Sequence, residues 1–133
     1  MLVVYESPLQ VLCDSPYNYR GQPGLEFYRI VPTTWDETKV LDGQVGEFIV
    51  VARRSGNRWF IGAMNDSKPR TVEVSLGSLG TGKYSLQYFA DAPDALDYPD
   101  RITSASREID KSAKLIIQMA PGGGYAGVLT PLP

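Results

Sequence analysis

Histidine is missing altogether from the 133 residues. Its absence removes the commonest general base at neutral pH, every Ser-His-Asp or Cys-His arrangement, and nearly all catalytic zinc sites. Cysteine occurs once, as Cys13, so no disulfide can form within the chain. A lone Cys between Leu12 and Asp14 reads as a small core residue. Basic residues never run beyond the pair Arg53-Arg54, and the net charge is −2. Nucleic acid would find no positive stripe and is set aside as a partner. No stretch approaches the ~20 apolar residues of a membrane span, so no span is expected. The apolar start is too short for a signal-peptide core and has no basic lead.

What is present is a globular composition, 43% hydrophobic and 21% charged, of a size that suits one domain with a real core. Residues 47–65 read EFIVVARRSGNRWFIGAMN. Two apolar runs flank Ser55-Gly56-Asn57, which predicts a β-hairpin. Both runs are apolar on both faces: Val50 and Ala52 alternate with Ile49 and Val51, and Trp59 and Ile61 with Phe60. A strand of that kind is central and covered on both sides. One face is expected against a second sheet. The other is expected against something else, for which the N-terminal 31 residues are the candidate.

The first third reads differently. Ser7-Pro8 has the form of a cap followed by proline in a first helical turn, and residues 25–31 form a second short apolar run. Two short helices with extended linkers are expected there. From residue 38 the pattern turns to β. A short strand is expected at 39–41, with Asp42-Gly43 as a turn. Alternation predicts further strands at 70–76, 84–90, 102–109, 114–119 and 125–129. Loops are expected at 77–83 and 110–113, and 102–109 is polar enough for an edge. The fold class expected is mainly β: an antiparallel β-sandwich of seven or eight strands after a short helical or irregular N-terminal segment. An apolar run beginning directly after Met1 is the pattern expected of a piece of a longer protein.

Few stretches offer chemistry. Asp91, Asp94, Asp97 and Asp100 recur every three residues, but a calcium loop needs ligands on alternate residues and a central glycine. A surface loop is expected. The glycines of residues 121–124 lack the Lys-Ser/Thr and following helix of a phosphate loop, so they read as a tight turn. Asp36 and Glu37 are neighbours and point apart, unlike the facing carboxylates of a glycosidase. Tyr17, Trp35 and Tyr98 are the candidates for stacking on sugar rings, whereas Trp59 reads as core. Asn65-Asp66-Ser67 matches a glycosylation sequon. No catalytic or metal-ligating residue is assigned.

Several motifs together resemble one family. They are Tyr5-Glu-Ser-Pro-Leu-Gln10, Asp14-Ser-Pro16, Val31-Pro-Thr-Thr-Trp-Asp-Glu-Thr38, Ala52-Arg-Arg54, Trp59-Phe-Ile-Gly-Ala63, Ala90-Asp91 and Met119-Ala-Pro-Gly-Gly-Gly-Tyr125. In this order they look like the C-terminal end of glycoside hydrolase family 97, bacterial α-glucosidases and α-galactosidases. The resemblance implies a β-supersandwich, a (β/α)8 barrel and a C-terminal β-sandwich in the parent enzyme. Residues 1–31 would be a remnant of the last barrel helix and its linker, and 32–133 the C-terminal sandwich. The family's catalytic carboxylates and calcium ligands would lie upstream, so no cofactor is expected in this chain and calcium only in the parent's catalytic part. The role implied is non-catalytic: packing against the catalytic barrel and bracing it. A carbohydrate-binding module using the loop aromatics, or a dimerisation domain, are the alternatives. The resemblance also implies a periplasmic or cell-surface location.

Overall fold

Among the described residues, the chain forms one short α-helix, a single 3-10 turn (Gly77–Leu79) and eight strands: α1 (Leu25–Ile30), β1 (Glu37–Gln44), β2 (Phe48–Ser55), β3 (Arg58–Asn65), β4 (Arg70–Ser75), β5 (Lys83–Asp91), β6 (Ile102–Asp110), β7 (Lys114–Met119) and β8 (Gly124–Pro131). The computed structural model describes residues 1–80, 82–110 and 112–133. Thr81 and Lys111, within the loops expected at 77–83 and 110–113, lie outside the described residues. All strand pairs are antiparallel. They make a six-stranded sheet in the order β1-β2-β3-β8-β5-β6 and a two-stranded sheet of β4 and β7.

The predicted hairpin forms, with Ser55 opposite Arg58 and Gly56-Asn57 between them. Gly56 has φ 60°, the left-handed conformation that the first central residue of a type II′ hairpin turn requires. Strands β2 and β3 lie inside the sheet and are covered on both faces, as their double-sided apolar pattern demands. One face joins the inter-sheet core, where Val50, Ala52, Trp59 and Ile61 meet Val72 and Val74 of β4 and Ile117 of β7. On the other face, Phe60, Phe89 and Val128 pack with Val3 and Phe27 from the N-terminal segment.

Strand β8 holds the large sheet together. It pairs with β3 along one edge and with β5 along the other. Strand β6 is an edge, as its polar sequence indicates. The small sheet packs over the large one but covers β6 only near Ile109, which joins the inter-sheet core, while Thr103, Ala105 and Arg107 on the same face remain exposed.

Two expectations are corrected. Asp42-Gly43 is not a turn but part of β1, which runs eight residues with a register shift between Val40 and Asp42. Gly43 lets the β2 backbone come close, since a Cβ there would sit 3.2 Å from the Phe48 carbonyl oxygen. The helix expected after Ser7-Pro8 does not form. Its apolar residues Leu9, Val11 and Leu12 are exposed, so no buried face supports a helix too short to stand alone. Helix α1 does form, with Phe27 as its buried residue.

Candidate functional site

Residues 1–35 form a layer on the outer face of the large sheet. At its start, the amides of Val4 and Tyr5 both donate to the Met1 carbonyl, at 3.0 and 2.9 Å. This turn drives Val3 into the sheet. Phe27 then sits edge-on to Phe60 and Phe89, with ring centroids 6.4 and 5.9 Å away, and Trp35 sits edge-on to Phe60 at 5.3 Å. Arg53 is the one charged residue among the buried ones described. Its Nη2 donates to the Val4 carbonyl at 3.3 Å, and its guanidinium lies 5.8 Å from the Trp35 ring centre. The inner side of the layer is thus anchored. Its outer side is not: Leu9 is 77% and Val11 68% exposed.

Beside this layer lies an apolar groove of about 570 Å³, lined among others by Val4, Tyr5, Val40, Val45, Ile49 and Met64. Val45, at the tip of the β1–β2 turn, is fully exposed. Leu9, Val11 and this groove are each apolar and open on the layer side of the protein.

The sequence-predicted sugar-stacking residues lie on separate elements. Tyr17 is in the N-terminal loop, with the Arg20 guanidinium 4.6 Å from its ring centre. Tyr98 is in the loop after β5, with that of Arg101 at 3.9 Å. Trp35 is half-buried against Phe60. No ring contact joins any two of the three among the described residues. Cys13 is exposed rather than in the core, because residues 9–13 run on the outside of the layer.

The acidic loop does not fit a calcium ion. The Asp91 carboxylate accepts the amides of Ala120 and Gly124, at 2.8 and 3.0 Å. Asp94 is paired with Arg101. No three acidic or cysteine side chains gather to hold a metal among the described residues. The glycine run is instead a cradle for Asp91, since a Cβ on Gly123 would overlap its Oδ2. Asn65 closes the same end of the molecule. Its side-chain amide donates to the Lys68 and Ala120 carbonyls, and its oxygen accepts from Arg70 Nε at 3.1 Å. Sequence reasoning singled out 90–91 and 119–125 separately but not their connection. It also missed Arg53 and Gly62, although a glycine inside an apolar strand flags a close backbone approach.

Residues 34–130 match the family model described as "Glycosyl-hydrolase 97 C-terminal, oligomerisation". The chain belongs to this family. A retaining alpha-galactosidase of Bacteroides thetaiotaomicron is 42% identical over 127 residues, 95% of this chain and 19% of that protein. A probable retaining alpha-galactosidase of Streptomyces bingchenggensis is 34% identical over the same share of each. A glycoside hydrolase family 97 enzyme from Pseudoalteromonas sp. strain K8, solved with acarbose, superposes with a TM-score of 0.84 at 36% identity, over 90% of this chain and 20% of that one. This family 97 domain therefore spans about a fifth of the length of the relatives it matches. No helix among its described residues is long and apolar enough to cross a membrane.

Proposed function

We propose that this family 97 domain braces the catalytic barrel of a larger α-glycosidase, an α-glucosidase or α-galactosidase, through the layer of residues 1–35. The observation that carries this reading is the two-sidedness of that layer. Its inner side is locked on the sheet by Val3, Phe27 and Trp35, while Leu9 and Val11 on the outside touch no core. Burying apolar area stabilises by ~25 cal/mol per Å², so even a modest interface matters to a marginally stable barrel. In this reading residues 1–31 are the barrel exit and 32–133 the sandwich. The catalytic carboxylates and the calcium belong to the parent's other domains, and the parent works in the periplasm or at the cell surface.

The test is made in the parent enzyme. Leu9→Ser with Val11→Ser is expected to lower its thermal inactivation temperature while leaving kcat/KM at low temperature near the original value. An unchanged inactivation temperature would sink the bracing role. The isolated chain should not hydrolyse nitrophenyl α-glucoside or α-galactoside, since in this reading the catalytic carboxylates belong to the parent's other domains.

A second reading, self-association of the parent enzyme through this domain, is favoured by the wording of the family description. Light scattering on the chain carrying the same two substitutions separates it from artificial contact through the bare layer. A dimer that survives both substitutions supports it, and a monomer argues against it.

A further inference from the structure

On the side of the molecule away from the N-terminal layer, the two sheets leave a cleft. The six-stranded sheet extends past β7 to β6, and nothing in the small sheet covers it there away from Ile109. The cleft has a volume of about 360 Å³, within the range of small-ligand sites. Tyr88 and Tyr125 lie on its sheet side, Arg107 and Thr103 come from β6, and Ile116 and Gln118 from β7. Tyr88 and Tyr125 stack with ring centroids 5.8 Å apart and planes 15° from parallel.

Two features set this cleft apart from ordinary surface. The first is the Tyr125 hydroxyl. The residue is 8% exposed, and its oxygen is enclosed with no hydrogen-bond partner. A buried hydroxyl left unpaired costs roughly 1–3 kcal/mol, so a native structure that keeps one calls for an explanation. The second is Arg107. Among the described residues Arg54, Arg70 and Arg101 are paired with carboxylates while Arg20, Arg29, Arg53 and Arg58 are not, and of the arginines only Arg107 lines this cleft. Arg107 has no such partner among the described residues, yet it lies close enough to Tyr125 for its charge to act on that phenol. The other charged group on the cleft wall, Asp91, is engaged with backbone amides. The inner face of β6 is polar or small, which suits a polar ligand better than another apolar strand.

We propose that this cleft is a binding site for a hexose-sized sugar carrying a carboxylate, a hexuronic acid or a glycan end of that kind. The Tyr88 ring offers an apolar face for the C–H side of the sugar. Arg107 pairs with the ligand carboxylate through charge-assisted hydrogen bonds. The Gln118 amide takes a ring hydroxyl, and the Tyr125 hydroxyl, enclosed in the free protein, takes another once the side chains over it move aside. The site is separate from the loop aromatics Tyr17, Trp35 and Tyr98, and from the layer that the bracing role uses.

The test is a titration of the isotope-labelled chain with glucuronic and galacturonic acid, and with glucose and galactose as neutral controls, followed by NMR. Saturable shifts with a hexuronate are expected in residues 88–91, 103–107, 116–118 and 125, with neutral sugars at least about tenfold weaker, the factor worth ~1.4 kcal/mol. Arg107→Gln replaces an exposed side chain, so the fold should persist. It is expected to weaken hexuronate binding by a similar factor and to leave the neutral sugars unchanged. Tyr125→Phe should keep the fold and weaken both. No saturable shift with either acid would overturn the proposal. So would equal binding of acidic and neutral sugars, or hexuronate binding that Arg107→Gln leaves intact.

Discussion

Gly62 and Val3 set the distance between the sheet and the layer that covers it. A Cβ placed on Gly62 would lie 2.8 Å from the Val3 Cβ and 3.1 Å from a methyl of Val4. Val3 is buried there, and the neighbouring Val4 carbonyl is held by Arg53. The first turn of the layer is therefore seated on a bare patch of backbone in β3.

Gly62→Ala is expected to lift residues 1–5 from the sheet. Overpacking of this kind costs about 1–3 kcal/mol, readable as a lower urea midpoint. Limited proteolysis should then cut the N-terminal layer sooner than in the original chain. An unchanged midpoint and cleavage pattern would mean that the layer is not seated by this contact.

The Asp91 carboxylate ties the end of β5 to the turn before β8. Asp91→Ala removes the acceptor of two backbone amides, and leaves them unpaired in a half-buried place. A loss of ~2 kcal/mol or more is expected in chemical denaturation. Gly123→Ala should be about as damaging, because its methyl would occupy the space of the carboxylate. The pair also allows a cycle: with Asp91 already alanine, Gly123→Ala should cost much less.

Tyr125 carries a pH signature. Burial holds its phenol well above the ordinary value of 10.0, against a smaller opposing pull from Arg107. The neutral form is the one the fold favours. This contribution is therefore intact below pH 10 and lost as pH rises beyond it, because the unfolded chain ionises first. Tyr125→Phe should flatten the fall of stability above pH 10 relative to the original chain. Below that pH it should be neutral or stabilising by about 1 kcal/mol, since an orphaned hydroxyl is removed. Denaturant curves at a series of pH values decide it.

The outer residues of the layer should not matter to the domain's own stability. Leu9→Ser with Val11→Ser is expected to change the unfolding free energy of the chain by no more than about 0.5 kcal/mol, as for surface positions without partners. Its solubility at high concentration should rise, since exposed apolar patches drive association. A large loss of stability would place these side chains in the core after all.

The hairpin was legible because two independent signals agreed. The apolar alternation of β2 and β3 demanded cover on both sides, and Gly56 marked the turn. Strand β1 was shortened in the sequence reading because Asp42-Gly43 has turn chemistry, and only the neighbouring strand shows that the glycine serves close approach. The Ser7-Pro8 start of a helix was a valid local signal with no tertiary support. The bond between Asp91 and the glycine turn spans about thirty residues of sequence, and no periodicity links them. Trp59, as expected, is buried, with the Lys39 ammonium 5.2 Å from its ring centre. Tyr88 and Arg107 left no mark at all in the sequence. They are diagonal neighbours on one face because β5 pairs with β6, and they stay open because a two-stranded sheet is too narrow to cover a six-stranded one.

The place of β8 has a consequence for synthesis. It is the last strand in chain order, yet it forms the only ladder between β3 and β5 among the described residues. A nascent chain that has reached Met119 holds β1–β3 and β5–β6 as two fragments with no ladder between them, each with an open edge. Such edges are ready templates for wrong pairing. The ribosome must therefore deliver residues 124–131 before the large sheet can close. Until then the two fragments keep open edges at β3 and β5, and closure of the large sheet waits on a segment more than thirty residues further along the chain than the end of β5.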